Sequence, residues 1–90
     1  SPITSFFGVD HGRIEWSGTA PRIFESSPGI FRSFCPVCGS PLTYQSKLRT
    51  HEIDLYALTL DDPTAFAADR HVMWNERLPW LHVADDLPRE

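Results

Sequence analysis

The sequence predicts an all-β fold of antiparallel strands. Two observations carry this prediction: apolar and polar residues alternate along several short stretches, and glycine or proline interrupts the chain at short intervals. Alternation with period two turns one side of a strand toward a core, and closely spaced breakers leave little room for helices. We therefore expect no helix longer than about ten residues.

The alternating stretches also give approximate strand positions. Strands are predicted at residues 3–9, 13–17, 30–35, 41–46 and 52–58, with a sixth near 71–75. Asp10, His11 and Gly12 are expected to form a hairpin turn between the first two strands, because Gly12 can adopt a positive φ without a steric clash. Residues 61–64 are predicted to form a turn, followed by one short helical turn.

Composition excludes several classes of partner. The chain has 90 residues and a formal net charge of −4, and its eight basic residues are scattered, which argues against a nucleic-acid partner. No apolar run is long enough for a membrane span and no export signal is visible, so a cytoplasmic location without membrane contact is expected. A chain of this size builds a thin core and is expected to need a staple or a partner. The aromatic residues, including Trp16, Trp74 and Trp80, are expected to fill that core.

The chemically informative motif is the short stretch CPVCG at residues 35–39, which contains both cysteines of the chain. Pro36 presets φ after Cys35, and Gly39 permits a left-handed residue after Cys38, so the chain can turn tightly and direct both thiolates at one metal ion. We expect Cys35 and Cys38 at the tip of a β-hairpin, with both sulfurs on one side and no disulfide between them. The metal expected for such a knuckle is zinc.

Two other interpretations of the cysteine pair stay open. The residues could be two unrelated small core side chains, or a C-x-x-C redox pair. A redox pair is usually placed at the start of a helix, whereas Pro41 and the alternating residues after it favour a strand.

A structural zinc ion takes four ligands, and the motif supplies two. His51 follows Cys38 at the spacing of a C2H2 finger, but no histidine or cysteine stands where the fourth ligand of such a finger would fall. His51 is therefore expected at a strand edge or on the surface, and His11, His71 and His82 in structural or solvated positions. The missing pair of ligands must come from another chain or from another segment of the same polypeptide.

The order of motifs along the chain resembles the C-terminal two thirds of the glutathione-dependent formaldehyde-activating enzyme family, which also includes centromere protein V. The resemblance is carried by FCPVCGSPL at 34–42, DL at 54–55, LTLDDP at 58–63, RHV at 70–72, LPW at 78–80 and LP at 87–88. The sequence departs from the family where Asp85 and Asp86 precede the last of these motifs, since the family commonly has Asp-Gly there.

The resemblance implies a β-tent of stacked antiparallel sheets with a zinc knuckle, in which Cys35 and Cys38 share a structural zinc with an upstream C-x-C pair. A catalytic zinc would be held by a further upstream cysteine cluster. On this comparison, residues 1–90 are a single partial domain that lacks its N-terminal zinc-ligand segment. A sheet edge left unpaired by that segment would favour a homodimer.

The activity implied by the resemblance is that of a carbon–sulfur lyase acting on glutathione, or a related thiol, and formaldehyde. No catalytic residue can be assigned within these residues, and the fragment alone is expected to be inactive. The alternative is a non-catalytic, zinc-stabilised binding module.

Overall fold

The computed structural model describes residues 1–90 and contains one five-stranded antiparallel sheet. The strands are β1 (Phe6–Asp10), β2 (Arg22–Ser27), β3 (Ile30–Phe34), β4 (Pro41–Ser46) and β5 (Glu52–Tyr56), arranged in the order β1-β5-β4-β3-β2. The helices are 3₁₀ turns of three residues each, at His11–Arg13, Ala57–Thr59, Pro63–Ala65 and Trp74–Glu76. The expectation of an antiparallel all-β fold without long helices is confirmed. The strands form a single sheet, where the resemblance implied stacked sheets.

Strands β2 to β5 follow one another as a meander, and the sequence of the first turn explains why it is tight. Pro28 and Gly29 connect β2 to β3, with Gly29 at a φ of 78° that L side chains rarely adopt. A Cβ at Gly29 would overlap the side chain of Lys47, whose backbone N–H donates to the Gly29 carbonyl at 2.9 Å. Gly29 therefore fixes both the turn and the approach of the chain after β4.

The centre of the sheet, in β3, β4 and β5, contains most of the buried residues. Ile53 and Ala57 are the buried apolar side chains, at 5% and 1% exposure. Beside them, the Ser33 and Thr43 hydroxyls lie opposite each other across β3 and β4 and hydrogen-bond at 2.5 Å. No buried side-chain nitrogen or oxygen lacks a partner, so the burial of these polar groups is compensated.

The chain leaves much of its apolar surface uncovered. Its accessible area is 7064 Å², whereas about 5300 Å² is expected for a folded monomer of this mass. Its radius of gyration is 14.3 Å, against about 12 Å for a compact domain of the same length. Strand β2, at the sheet edge, is exposed along its whole length, and its Ile23 and Phe24 side chains are 70% and 60% exposed. Few side chains are therefore fully buried, and the core is thin, as predicted from the length of the chain.

Several predicted elements are wrong. Residues 13–17 form no strand: Arg13 ends a 3₁₀ turn, and residues 14–17 pair with no strand although the outer edge of β1 is unpaired. The expected hairpin turn at residues 10–12 is instead a 3₁₀ turn in which the Asp10 carboxylate accepts from the Gly12 N–H at 2.9 Å. Strand β2 was not predicted, and residues 71–75 form no strand: they contain an isolated bridge from His71 to Arg89 and the start of the 3₁₀ turn at Trp74–Glu76.

The aromatic residues also depart from the expectation that they fill the core. Trp16 and Trp80 are 51% and 64% exposed, and Phe6 is 39% exposed. Trp74 is half-buried. A single sheet has fewer facing elements to cover bulky side chains than two stacked sheets do, which explains the exposure.

None of the helices is both long enough and apolar enough to cross a membrane.

Candidate functional site

The β3–β4 connection, residues 35–40, holds both cysteines and is named here the cysteine hairpin. The Cys35 N–H donates to the Ser40 carbonyl at 2.9 Å, and the Gly39 N–H donates to the Cys35 carbonyl at 2.8 Å. Gly39 has a φ of 79°, as the turn requires. The connection is thus a closed loop at the tip of a β-hairpin, and the expected absence of a disulfide is confirmed by two free thiols.

The two thiols differ in exposure. Cys35 is half-buried and Cys38 is exposed. The Ser40 hydroxyl lies 3.2 Å from the Cys38 sulfur and lowers the pKa of that thiol, with smaller contributions from the Ser40 backbone and the Cys35 side chain. Both thiols lie on the same short connection between β3 and β4. Thiolates so placed suit zinc, which prefers sulfur and nitrogen donors.

The fold brings no third metal ligand to the cysteine hairpin. No group of three or more histidine, cysteine, aspartate or glutamate side chains is arranged to hold a metal ion. His11, His51 and His82 are exposed, as expected from the sequence. The cysteine hairpin therefore provides two donors of the four that structural zinc takes.

His71 has a structural partner, also as expected. Its Nε2 lies 2.9 Å from Asp85, and its ring packs on Trp74 with centroids 5.2 Å apart. The hydrogen bond with His71 lowers the pKa of the Asp85 carboxyl, and Arg89 contributes a smaller effect at 3.2 Å. These contacts tie the C-terminal residues to the segment around His71, where the two backbones also exchange hydrogen bonds of 2.8 Å.

A depression of about 490 Å³ lies against the cysteine hairpin and is named here the arginine pocket. Its boundary includes Arg22, Arg32, Phe34 and Tyr56, together with Gly39 and Pro41 at the cysteine hairpin. The hairpin and the depression therefore form one continuous region of the surface.

Neutral groups hold Arg32 in place within the arginine pocket. Its Nε donates to the Ser26 hydroxyl at 3.0 Å, and its Nη1 donates to the Tyr56 hydroxyl at 3.3 Å. The guanidinium lies over the Tyr44 ring, 4.9 Å from the ring centroid, a favourable cation–π arrangement.

A second arginine is held by carboxylates. Arg49 Nη2 lies 2.9 Å from Asp54, whose side chain is 7% exposed, and Nη1 lies 3.3 Å from Glu52. The hydrogen bond and the negative charge of Asp54 raise the pKa of Arg49 above its ordinary value. Arg49 therefore compensates the buried Asp54 carboxylate.

No pattern in the sequence indicates that Arg32, Tyr44 and Tyr56 form a cluster. The strand register brings Arg32 opposite Tyr44, while Tyr56 reaches Arg32 from β5. Register depends on turn lengths and on the irregularity between Ser33 and Phe34, which alternation alone does not reveal. The only sequence signal was the presence of Arg32 at an alternating position of a predicted strand.

Comparison with protein families, with curated proteins and with solved structures finds no match to this chain.

Proposed function

We propose that the chain is the zinc-knuckle portion of a carbon–sulfur lyase-like protein that promotes addition of glutathione, or a related thiol, to formaldehyde. The observation that carries the proposal is the cysteine hairpin, where Cys35 and Cys38 are free thiols at the tip of β3 and β4. The lowered pKa of Cys38 favours the thiolate form that zinc binds. The order of motifs along the sequence supports the choice of reaction.

In this proposal the cysteine hairpin has a structural role. Two further ligands come from outside the 90 residues, since the fold brings no third donor to the pair. Zinc bound elsewhere in such a protein would supply acidification of the thiol and polarisation of the carbonyl. The reaction forms one carbon–sulfur bond, and the proton lost by the thiol ends on the former carbonyl oxygen.

Metal binding by the cysteine hairpin is tested with cobalt(II), which gives thiolate-to-metal absorption where zinc is silent. The Cys35→Ser and Cys38→Ser variants should each lose intensity, and the double variant should lose the band. Val37→Ala is the matched control, because Val37 lies between the cysteines and is 84% exposed. An unchanged band in the double variant would contradict metal ligation by this pair.

The activity is tested by exchange NMR with ¹³C-formaldehyde and glutathione, which separates catalysis from the spontaneous reaction. The zinc-loaded full-length natural polypeptide should accelerate exchange, whereas the 90-residue chain should not. Equal acceleration by both would place the chemistry within these residues. That result would contradict the structural role given to the hairpin.

A non-catalytic, zinc-stabilised binding module is the second candidate. It is favoured by the exposure of Trp16, Trp80, Ile23 and Phe24, because large exposed apolar side chains are typical of interaction surfaces. Retention of the cobalt band together with no acceleration in the full-length polypeptide would select this candidate.

A further inference from the structure

The arginine pocket contains a positive charge that the fold orients without neutralising. Arg49, Arg70 and Arg89 each lie within 4.0 Å of a carboxylate oxygen. Arg32 has no such partner, and its contacts are the hydroxyls of Ser26 and Tyr56 and the Tyr44 ring. Ordering an arginine side chain costs conformational entropy, and the contacts of Arg32 reduce the part of that cost that remains when an anion binds.

A second positive charge lies on the same face of the sheet. The register pairs Arg22 with Phe34 and Phe24 with Arg32, so Arg22 and Arg32 are diagonal neighbours across β2 and β3. Diagonal neighbours on one face lie about 7 to 8 Å apart. Two like charges at this separation repel each other, and an anion between them would remove the repulsion.

The remaining surfaces of the pocket indicate which anion fits. Phe24, Phe34 and Pro41 contribute apolar walls, and the volume of about 490 Å³ suits a small organic molecule. Arg32 Nη2 makes no hydrogen bond within the chain, so the N–H groups of this nitrogen are free to donate to a ligand. Charged N–H donors of this kind form strong hydrogen bonds with carboxylate oxygens.

We propose that the arginine pocket binds the carboxylate of a small organic acid that has an apolar or thioether stem. The acid has two sources with this chemistry: the thiol substrate itself, in which case the assignment rests on the proposed function, or a simple aliphatic acid. Gly39 and Pro41 border the pocket, so a bound stem lies beside the cysteine hairpin in either case.

The binding experiment follows backbone amide resonances of the chain, in zinc-containing buffer, during titration with three probes. Hexanoate tests the aliphatic acid, S-methylglutathione tests the thiol-derived acid, and hexanol tests the stem without a carboxylate. Resonances of β2, β3 and the cysteine hairpin should shift with a carboxylate probe and not with hexanol. Tighter binding of S-methylglutathione assigns the pocket to the thiol, and tighter binding of hexanoate assigns it to simple acids. No shift with either acid, or equal shifts with hexanol, would overturn the proposal.

This experiment is independent of the proposed reaction, because it contains neither formaldehyde nor a free thiol. If the chain binds S-methylglutathione but the full-length polypeptide does not accelerate exchange, the result supports the pocket and contradicts the proposed activity. If exchange is accelerated but neither acid binds, the result supports the proposed activity and contradicts the pocket.

Two variants test whether the bound carboxylate contacts Arg32. Arg32→Gln should weaken binding about tenfold, the loss of one charge-assisted hydrogen-bonding partner. The control is Arg13→Gln, which removes the same charge from an exposed arginine outside the pocket and should change affinity less than about twofold. Equal weakening by both variants would show only general charge attraction and would contradict the site.

A further variant keeps the test decisive if Arg32→Gln disturbs the sheet. Tyr56→Phe removes the hydroxyl that holds Arg32 Nη1 while it retains the ring. It should weaken carboxylate binding by several fold and leave unshifted the amide resonances of the C-terminal segment that pairs with His71. Unchanged affinity in Tyr56→Phe together with unchanged affinity in Arg32→Gln would overturn the proposal.

Discussion

Arg49 and Arg32 act on the same face of the sheet, on opposite sides of Tyr44, yet they have different surroundings. Asp54, the partner of Arg49, pairs with Tyr44 across β4 and β5, and Arg32 pairs with Tyr44 across β3 and β4. Arg49 meets two carboxylates, whereas Arg32 meets two hydroxyls and a ring. Arg49 therefore compensates a buried negative charge, whereas Arg32 keeps its positive charge without a carboxylate partner.

The largest effect is expected from Arg49→Met. This change leaves the Asp54 carboxylate, 7% exposed, without its cation. Breaking a fully buried pair costs about 3–5 kcal/mol, and because Arg49 is 41% exposed we expect about 2 kcal/mol of unfolding free energy to be lost. Urea unfolding measures the loss. Glu52→Gln is the control, since Glu52 is 42% exposed and should cost less than about 1 kcal/mol. An equal cost for both variants would remove the special role of Asp54.

A smaller effect is expected from the matching change at the other arginine. Arg32→Met removes contacts to exposed neutral groups and also relieves the repulsion from Arg22. The two effects oppose each other, so the free energy of unfolding should change by less than about 0.5 kcal/mol. The same urea experiment checks this value. A loss as large as that of Arg49→Met would show that Arg32 is a structural arginine, and the comparison between the two would fail.

The smallest effect is expected at the exposed Asp85, which extends the comparison to a solvated ion pair. The folded chain lowers the pKa of Asp85. The stability that the Asp85 carboxylate contributes is therefore fully present at pH values above its unfolded pKa of about 3.9, and it is lost as the pH falls through the lower pKa of the folded chain. Trp74 packs on His71, the partner of Asp85, so protonation of Asp85 should change Trp74 fluorescence below about pH 4. The measurement uses a variant in which Trp16 and Trp80 are replaced by phenylalanine, so that Trp74 is the only tryptophan. Asp85→Asn should abolish the transition. Persistence of the same transition in Asp85→Asn would assign it to another carboxyl.

Local sequence patterns predicted the central strands well and the edges poorly. β3, β4 and β5 follow clear alternation between chain breakers, and their predicted ranges agree with the structure within two residues at each end. β2 was missed because all its side chains are exposed, so burial imposes no pattern on it. Residues 13–17 alternate in sequence but pair with no strand, and Trp16 is 51% exposed, because alternation does not specify which strand lies beside a segment.

The two parts of the candidate site also differed in how far sequence could predict them. The cysteine hairpin is local: Pro36 and Gly39 specify the turn, and Cys35 and Cys38 lie within it. The arginine pocket combines residues from β2, β3 and β5. Its assembly depends on strand register and on the Pro28–Gly29 turn, so no short motif reveals it.

The position of β1 has a consequence for the order in which the sheet assembles. β2 to β5 each pair with the strands next to them in sequence, whereas β1 pairs with β5. Asp10 and Glu52 are the β1–β5 partners closest in sequence, and β2, β3 and β4 lie between them along the chain. Closing so long a loop is entropically costly and is favoured only after the meander exists. The amides of β1 should therefore exchange with deuterium at lower opening free energies than those of β4, so that the folded population includes molecules in which the first strand is transiently released.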